Sequence, residues 1–257
     1  MPRRIAGVVT KVCGVIQARM GSMRLPGKIL APLVGLPLLS VLWERVRTAR
    51  SIDQWWLATS VLPTDDITAA WGTTLGLRVL RGDPEDVLSR FATIARTEAP
   101  AFVVRFTADD PLVDAAVVDL LVEQGRAMPS SAPVLGDHGE ARRLPLGYVP
   151  ELVRGEDLLR ADEVTRTGPP HHRAHVTSLL WAEGGQRFVP PAGWSDHPEW
   201  RWTVDTSLDL DMADGLLGLV GDGWRSPGYA ELVGVLEQHP RLAATNAGVR
   251  QKTLVEG

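Results

Sequence analysis

Short apolar runs alternate with amphipathic stretches through the first half of the chain. The run Val12-Cys13-Gly14-Val15-Ile16 is continuously apolar and reads as a buried strand over 13–17, ending in a loop rich in Gly, Arg and Lys. Pro37 then opens a helical pattern, with Leu38, Leu39, Val41, Leu42 and Val46 on one side and Glu44, Arg45 and Arg47 on the other. The same alternation predicts strands over 55–59, 78–80 and 101–106 and helices over about 65–75, 84–96 and 111–124, the last started by Asp110-Pro111. Such a sequence of elements implies crossover connections, a mainly parallel sheet and helices on both faces. Sheets of this kind take ligands beyond the carboxyl ends of their strands. The charged loops after Gln17 and after Phe106 both fall at that edge.

From about 128 to 200 the pattern weakens. Pro, Gly and paired charges are frequent, and one helix stands out, over 171–183. This stretch reads as an inserted small subdomain, a lid or a dimerisation element. Residues 201–204 return to strand character, a helix follows from Ser207, and the last helix covers 227–238.

Composition narrows the function classes. At 257 residues the chain suits one large α/β domain, with 44% hydrophobic and 23% charged residues. A net charge of −4 with both signs dispersed argues against a general nucleic-acid binder, though not against binding one nucleotide. Cys13 is the single cysteine, which excludes an internal disulfide and a thiolate-rich metal site. No apolar stretch approaches the ~20 residues a membrane helix needs, and the opening Met1-Pro2-Arg3-Arg4-Ile5-Ala6-Gly7 lacks the apolar core of a signal peptide. The expectation is a cytoplasmic protein.

The loop Gln17-Ala18-Arg19-Met20-Gly21-Ser22-Met23-Arg24-Leu25-Pro26-Gly27-Lys28 carries the most chemistry. A triphosphate needs backbone N–H groups that approach closely and cations that offset its charge. Gly21 and Gly27 permit the approach, and Arg19, Arg24 and Lys28 are spaced to address one anion. A solvated basic loop has the same composition, so the residues alone leave both readings open. The segment matches neither the Walker pattern nor the dinucleotide fingerprint.

The stretch from Ile16 to Lys28 resembles the opening signature of the cytidylyltransferase family, which includes the CMP-sugar-acid synthetases. In its SpsF-like branch the signature reads I-Q-A-R-M-G-S-T-R-L-P-G-K, and only Met23 departs from it. Four further segments match in order. Residues 82–91 resemble E-D-V-L-x-R-[FY]; Arg105-Phe106-Thr107-Ala108-Asp109-Asp110-Pro111 resembles R-x-T-A-D-C-P; His175-Val176-Thr177 resembles H-V-T; and Trp202-Thr203-Val204-Asp205-Thr206 resembles W-T-V-D-T. The resemblance implies a three-layer α/β fold, with a Rossmann-like, mainly parallel sheet of the nucleotide-diphospho-sugar transferase type. It further implies Mg²⁺-dependent transfer of CMP from CTP to a small acidic or sugar-like acceptor, with release of pyrophosphate, by a homodimer.

The family's chemistry needs Mg²⁺ to neutralise a triphosphate, and Mg²⁺ is commonly held by one or two carboxylates plus phosphate oxygens and water. The resemblance implies Asp109 and Asp205 as these ligands, each at the end of an expected strand. Spacing alone also allows helix capping for both: Thr206-Ser207-Leu208-Asp209 resembles a capping box, and Asp110 before Pro111 reads as an N-cap. By the same resemblance Arg19, Arg24 and Lys28 act with Asp109 in catalysis. Gln17, Ala18, Arg19, Gly21, Ser22, Lys28, Asp86 and Arg90 surround the nucleotide. Asp86 and Arg90 also fit a plain helix start.

For the acceptor, Glu151 and His175 are the candidates. Arg142, Arg143, His171, His172 and Arg173 offer further anion-binding groups or a solvated face, and a zinc site from His171, His172 and His175 lacks a convincing fourth ligand. The branch often carries G-L-D-V-E-V-F where this chain has Gly147-Tyr148-Val149-Pro150-Glu151-Leu152-Val153, so Glu151 fits while Val149 replaces an acidic position. Two alternatives compete: a glycosyltransferase-like enzyme using a nucleotide sugar, which has no need of the Arg24 to Lys28 segment, and a non-catalytic nucleotide-binding subunit.

Overall fold

The apolar run at the start of the chain forms β1 (Val12–Gln17), five of whose six residues are fully covered. In the computed structural model, which describes residues 11–251, β1 lies at the centre of a seven-stranded sheet. The opening stretch read for a signal peptide lies outside the described residues, apart from a backbone pairing of Arg4–Ile5 with Val8–Val9.

The chain proceeds through α1 (Leu38–Val46), β2 (Gln54–Ser60), α2 (Asp66–Thr74), β3 (Arg78–Gly82), α3 (Val87–Glu98) and β4 (Phe102–Thr107). It continues with α4 (Ala115–Ala127), β5 (Val134–Gly136), β6 (Glu151–Arg154), α5 (Gly155–Val164), α6 (Pro170–Ala174), α7 (Ser178–Gly184) and β7 (Gln186–Arg187). The last helices are α8 (Ser207–Val220), α9 (Tyr229–Gln238) and α10 (Pro240–Ala243). Strand order is β7-β5-β6-β4-β1-β2-β3, and β6 alone runs against the others. From β1 the chain builds outward to β3, then crosses back through α3 to place β4 on the other side of β1. The switch point therefore lies between β1 and β4, where parallel sheets open a crevice beyond their carboxyl ends.

Pairing registers assign the two faces. Gly14, Ile16, Leu57, Val104 and Phe106 share one face and pack under α1, α4, α8 and α9. Cys13, Val15, Trp56, Val103 and Val153 share the other, under α3, α5 and α7. On that second face, nearer the carboxyl edge, the pattern turns polar: Gln17 is level with Thr107, and Arg105 with Glu151.

Several expectations need correction. The helix expected over 111–124 begins at Ala115, because Asp114 caps it by accepting from Ala116 N at 2.8 Å and Val117 N at 3.1 Å. Asp110 is thus no cap; residues 108–114 turn over the sheet edge, with Leu112 and Val113 in the core. The helix expected over 171–183 is broken between α6 and α7 at Val176, whose φ is 49°. Residues 201–204 are extended, with a single bridge from Arg201 to Leu146 and no strand of the main sheet. The weakly patterned stretch 128–200 supplies β5, β6 and β7 to the central sheet, strands too short to show periodicity. Among the described residues no helix is long and apolar enough to cross a membrane.

Candidate active site

The polar carboxyl edge of the second face opens into a cleft of about 760 Å³, lined by residues from β1, β4, β6, α7 and the loops beyond them. Gln17, Ala18, Arg19, Gly21, Ser22, Arg24, Lys28, Arg90, Asp109, Glu151, His175 and Asp205 all line it. Residues scattered over most of the chain are thereby brought to one place.

The loop after β1 is shaped by its own backbone. Met20 N donates to Asp65 Oδ1 at 2.6 Å, and Gly27, at φ 70°, returns its N–H to Met20 O at 3.2 Å. That positive φ suits glycine, and it delivers Lys28 inward at the first position of a short 3₁₀ turn. Lys28 is 9% exposed. Its Nζ donates to Asp109 Oδ2 at 2.5 Å and to Asp205 Oδ1 at 2.9 Å, while Arg24 Nη2 lies 2.7 Å from Asp205 Oδ2. Arg201 adds a longer contact to Asp205 at 3.3 Å.

Electrostatics follow from this packing. Burial alone would lower the Lys28 ammonium, but Asp109 and Asp205 outweigh it and hold the group above its ordinary range. Burial would raise Asp205, and Lys28, Arg24 and Arg201 instead hold it below the usual carboxylate range. Asp110 is opposite: burial, then the charge of Asp109 beside it, pushes it up to about 8, despite hydrogen bonds from Thr107 and Thr203. A Cβ at Gly147, whose φ is 90°, would collide with Asp110 Oδ1 and lie 2.9 Å from Thr203 Cβ. The chain therefore comes as near Asp110 as a glycine allows.

The capping box read from Thr206 to Asp209 is present, with Asp209 Oδ2 accepting from Thr206 N at 2.9 Å. It also accepts from Asp205 N at 3.0 Å, so the cap fixes the backbone that aims the Asp205 carboxylate at Lys28. Val204 N donates to Asp109 O at 2.7 Å, tying together the segments that carry the two aspartates.

The two walls of the cleft differ. On the β2–β3 side stand Arg19, exposed, and Arg90, 3% exposed; neither forms an ion pair or side-chain hydrogen bond among the described residues. Burial, then the like charge of Arg19, lowers the Arg90 guanidinium. Asp86 does not line the cleft: it caps α3 through Ser89 N at 2.9 Å and pairs with Arg173. On the β4–β6 side, Glu151 accepts from Arg105, from Thr177 Oγ1 at 2.8 Å and from Trp181 Nε1 at 2.6 Å. Its burial would raise its carboxyl, but Arg105, His138 and these donors hold it low. His138 stacks on Trp181, with ring centroids 5.0 Å apart.

His171 and His172 pack against each other with their rings tilted by 48°, outside the cleft lining, whereas His175 lines it. Arg142 and Arg143 are used elsewhere, Arg142 on carbonyls of Leu144 and Pro198 and Arg143 on Asp196. Trp194 and Trp202 belong to an aromatic cluster with Tyr148 and Tyr229, and Trp200 stacks on His197. The tryptophan that lines the cleft is Trp181. Arg105, Thr177 and Trp181 were absent from the expected site. For Arg105 a signal existed: a lone charge inside the apolar run Phe102-Val103-Val104-Arg105-Phe106 needs a partner or a ligand.

Residues 13–149 match the model of the family described as cytidylyltransferase. Over 243 residues the chain is 31% identical to the spore coat polysaccharide biosynthesis protein SpsF of Bacillus subtilis (strain 168), covering 89% of this chain and 95% of that protein. A solved cytidylyltransferase from Leptospira borgpetersenii serovar Hardjo-bovis superimposes with a TM-score of 0.83 at 26% identity, over 95% of this chain and 100% of that one. A CMP:2-keto-3-deoxy-manno-octonic acid synthetase complexed with CTP shares the fold, with a TM-score of 0.60 at 18% identity over 82% of this chain and 100% of the other. With its mostly parallel sheet, its basic loop after the first strand and its edge aspartates, the chain belongs to the cytidylyltransferase family, whose members are nucleotidyltransferases.

Proposed function

We propose that the chain transfers CMP from CTP to a small acidic or sugar-like acceptor, a sugar acid, sugar phosphate or phosphonate, with release of pyrophosphate and with Mg²⁺ as cofactor. The observation that carries the reading is the meeting of Lys28, Asp109 and Asp205 at the switch point, three residues from separate parts of the chain within hydrogen-bond reach.

Two carboxylates of one cluster suit Mg²⁺, which is usually held by one or two of them with phosphate oxygens and water completing the shell. Among the described residues no group of three or more His, Cys, Asp or Glu could form a fuller cage. Asp109 and Asp205 would hold the ion, which when bound offsets triphosphate charge. Arg19, Arg24, Lys28 and Arg90 provide cations for the phosphates, with the N–H groups of the loop beside them. Transfer to an acceptor hydroxyl or anionic oxygen then asks the chain mainly to position and to balance charge. Gln17, Ala18, Gly21 and Ser22 flank the nucleotide. Glu151 and His175 stand on the acceptor side, and a homodimer built partly from residues 128–200 completes the proposal.

The test is pyrophosphate release from each nucleoside triphosphate with Mg²⁺, against sugar acids, sugar phosphates and phosphonates. Acceptor-dependent release with CTP is expected. Equal release from all triphosphates, or none with any pair, would overturn the reading.

A further inference from the structure

Arg105 is the one cation of the cleft that the β4–β6 wall builds into its own structure. It sits in the middle of an otherwise apolar strand, level with Val15 on one neighbour and Glu151 on the other. Its side chain is 14% exposed. Nε donates to Gln17 Oε1 at 3.0 Å and Nη1 donates to Glu151. The remaining N–H groups, both on Nη2 and the second on Nη1, have no hydrogen-bond partner among the described residues, although Arg105 lines the cleft. Glu151, by contrast, already accepts from three donors. One oxygen takes Trp181 and the other takes Thr177 and Arg105. A carboxylate that three donors of its own wall already hold has little left for an acceptor hydroxyl. What it does is fix the guanidinium, much as outer residues fix a ligand in other preorganised sites.

We infer that Arg105 is the group that grips an anionic oxygen pair of the acceptor, and that Glu151 and Gln17 are positioning residues that orient it. The inference rests on the cytidylyltransfer reading and names the acceptor chemistry within it. A guanidinium edge with free N–H groups on Nη1 and Nη2 matches a carboxylate by two parallel hydrogen bonds. Glu151 offsets much of the positive charge at close range, so a carboxylate monoanion suits the site better than a phosphate dianion, which Glu151 would repel. The reach is also right. Asp109 is four positions after Arg105, so their Cα atoms lie within about 14 Å, a span that one sugar-sized molecule can bridge with its nucleophile near Asp109 and its carboxylate on Arg105.

The test measures binding, so that it does not depend on turnover. A panel of sugar acids, D-glucuronate and 3-deoxy-manno-octulosonate among them, is titrated against wild type and variants, each acid paired with its methyl ester. The best-bound acid of the panel is expected to exceed its ester by roughly 10- to 100-fold in wild type. That preference disappears in Arg105→Met and in the double variant Arg105→Met/Glu151→Gln, which leaves no buried charge unpaired and guards against misfolding. Arg105→Lys keeps part of it. CTP binding, measured alongside, falls far less than acid binding in all three, the loss being limited to what Gln17 gives up when its partner goes. In Glu151→Gln the ratio of glucose 1-phosphate to sugar-acid affinity rises, a shift that a merely structural role would not produce. No acid-over-ester preference in wild type, or the same preference in the double variant, overturns the assignment. Absence of CTP binding in wild type would instead sink the cytidylyltransfer reading, while the acid-to-ester ratio still decides Arg105.

Discussion

The two walls of the cleft handle positive charge in opposite ways. On the β2–β3 side Arg19 and Arg90 form no ion pair among the described residues, and the nearly buried Arg90 feels Asp65, Asp83 and Asp86 only through space. On the β4–β6 side Arg105 is less deeply buried and is enclosed by Glu151 and Gln17. A buried charge without a partner is unfavourable, so it is most readily retained where a ligand completes it. The first wall is therefore prepared for a strongly charged ligand, and the second for a lightly charged one held by direction. Between them Lys28 and Arg24 balance the charges of Asp109 and Asp205.

The largest expected effect falls on that cluster. Asp109→Ala should reduce CTP-dependent pyrophosphate release by about 10³-fold, in line with removing one well-placed electrostatic group from an active site. The melting temperature should change little, because Asp109 is partly exposed at a turn. Activity retained within a factor of a few would remove Asp109 from the site.

The next effect separates the walls. Arg105→Met strands Glu151 as a buried, unpaired carboxylate and should destabilise the fold by about 3 kcal/mol in chemical denaturation. Arg90→Met strands nothing and should leave stability unchanged or raised, while CTP affinity, read by calorimetry, falls roughly tenfold. Equal losses of stability in both variants would erase the distinction.

Gly147→Ala sharpens the acceptor side. At φ 90°, with Asp110 and Thr203 against the missing Cβ, it should cost about 1–3 kcal/mol. Acceptor binding should fall more than CTP binding, and a fully stable variant would show that this segment yields.

The smallest effect is on pH. Glu151 is held below its ordinary value of 4.5 in the folded chain, so its stabilisation is present above that value and lost as pH falls through the lower folded one. Glu151→Gln should therefore flatten the stability–pH curve in the acid limb, below about pH 4.5. An unchanged slope there would mean that other carboxylates set it.

The same contrast explains what could be read from the chain. The wall proposed for the nucleotide comes from residues 17–28 and 84–90, short segments whose Gly, Arg and Lys spacing and capping pattern are visible locally, and the α/β alternation indicates which edge they face. Asp86 caps α3, the helix-start reading that its place one residue before a helix also allowed. The acceptor wall was less legible. Thr177 and Trp181 reach Glu151 across 26 and 30 positions, through strands of three or four residues and a helix pair broken at Val176. No local periodicity reports such a meeting. Arg105 was legible as an anomaly, a charge in an apolar strand, although its partner was not.

The lodging of Lys28 between two carboxylates has a kinetic consequence. It acts as a tethered counter-ion, so the divalent cation of the proposed reaction would have to displace it rather than fill an open site. The ammonium leaves readily only when a phosphate offers it a new neighbour. Metal and triphosphate should accordingly enter together, each lowering the other's barrier, and the resting enzyme should be shielded from stray divalent ions when no nucleotide is present.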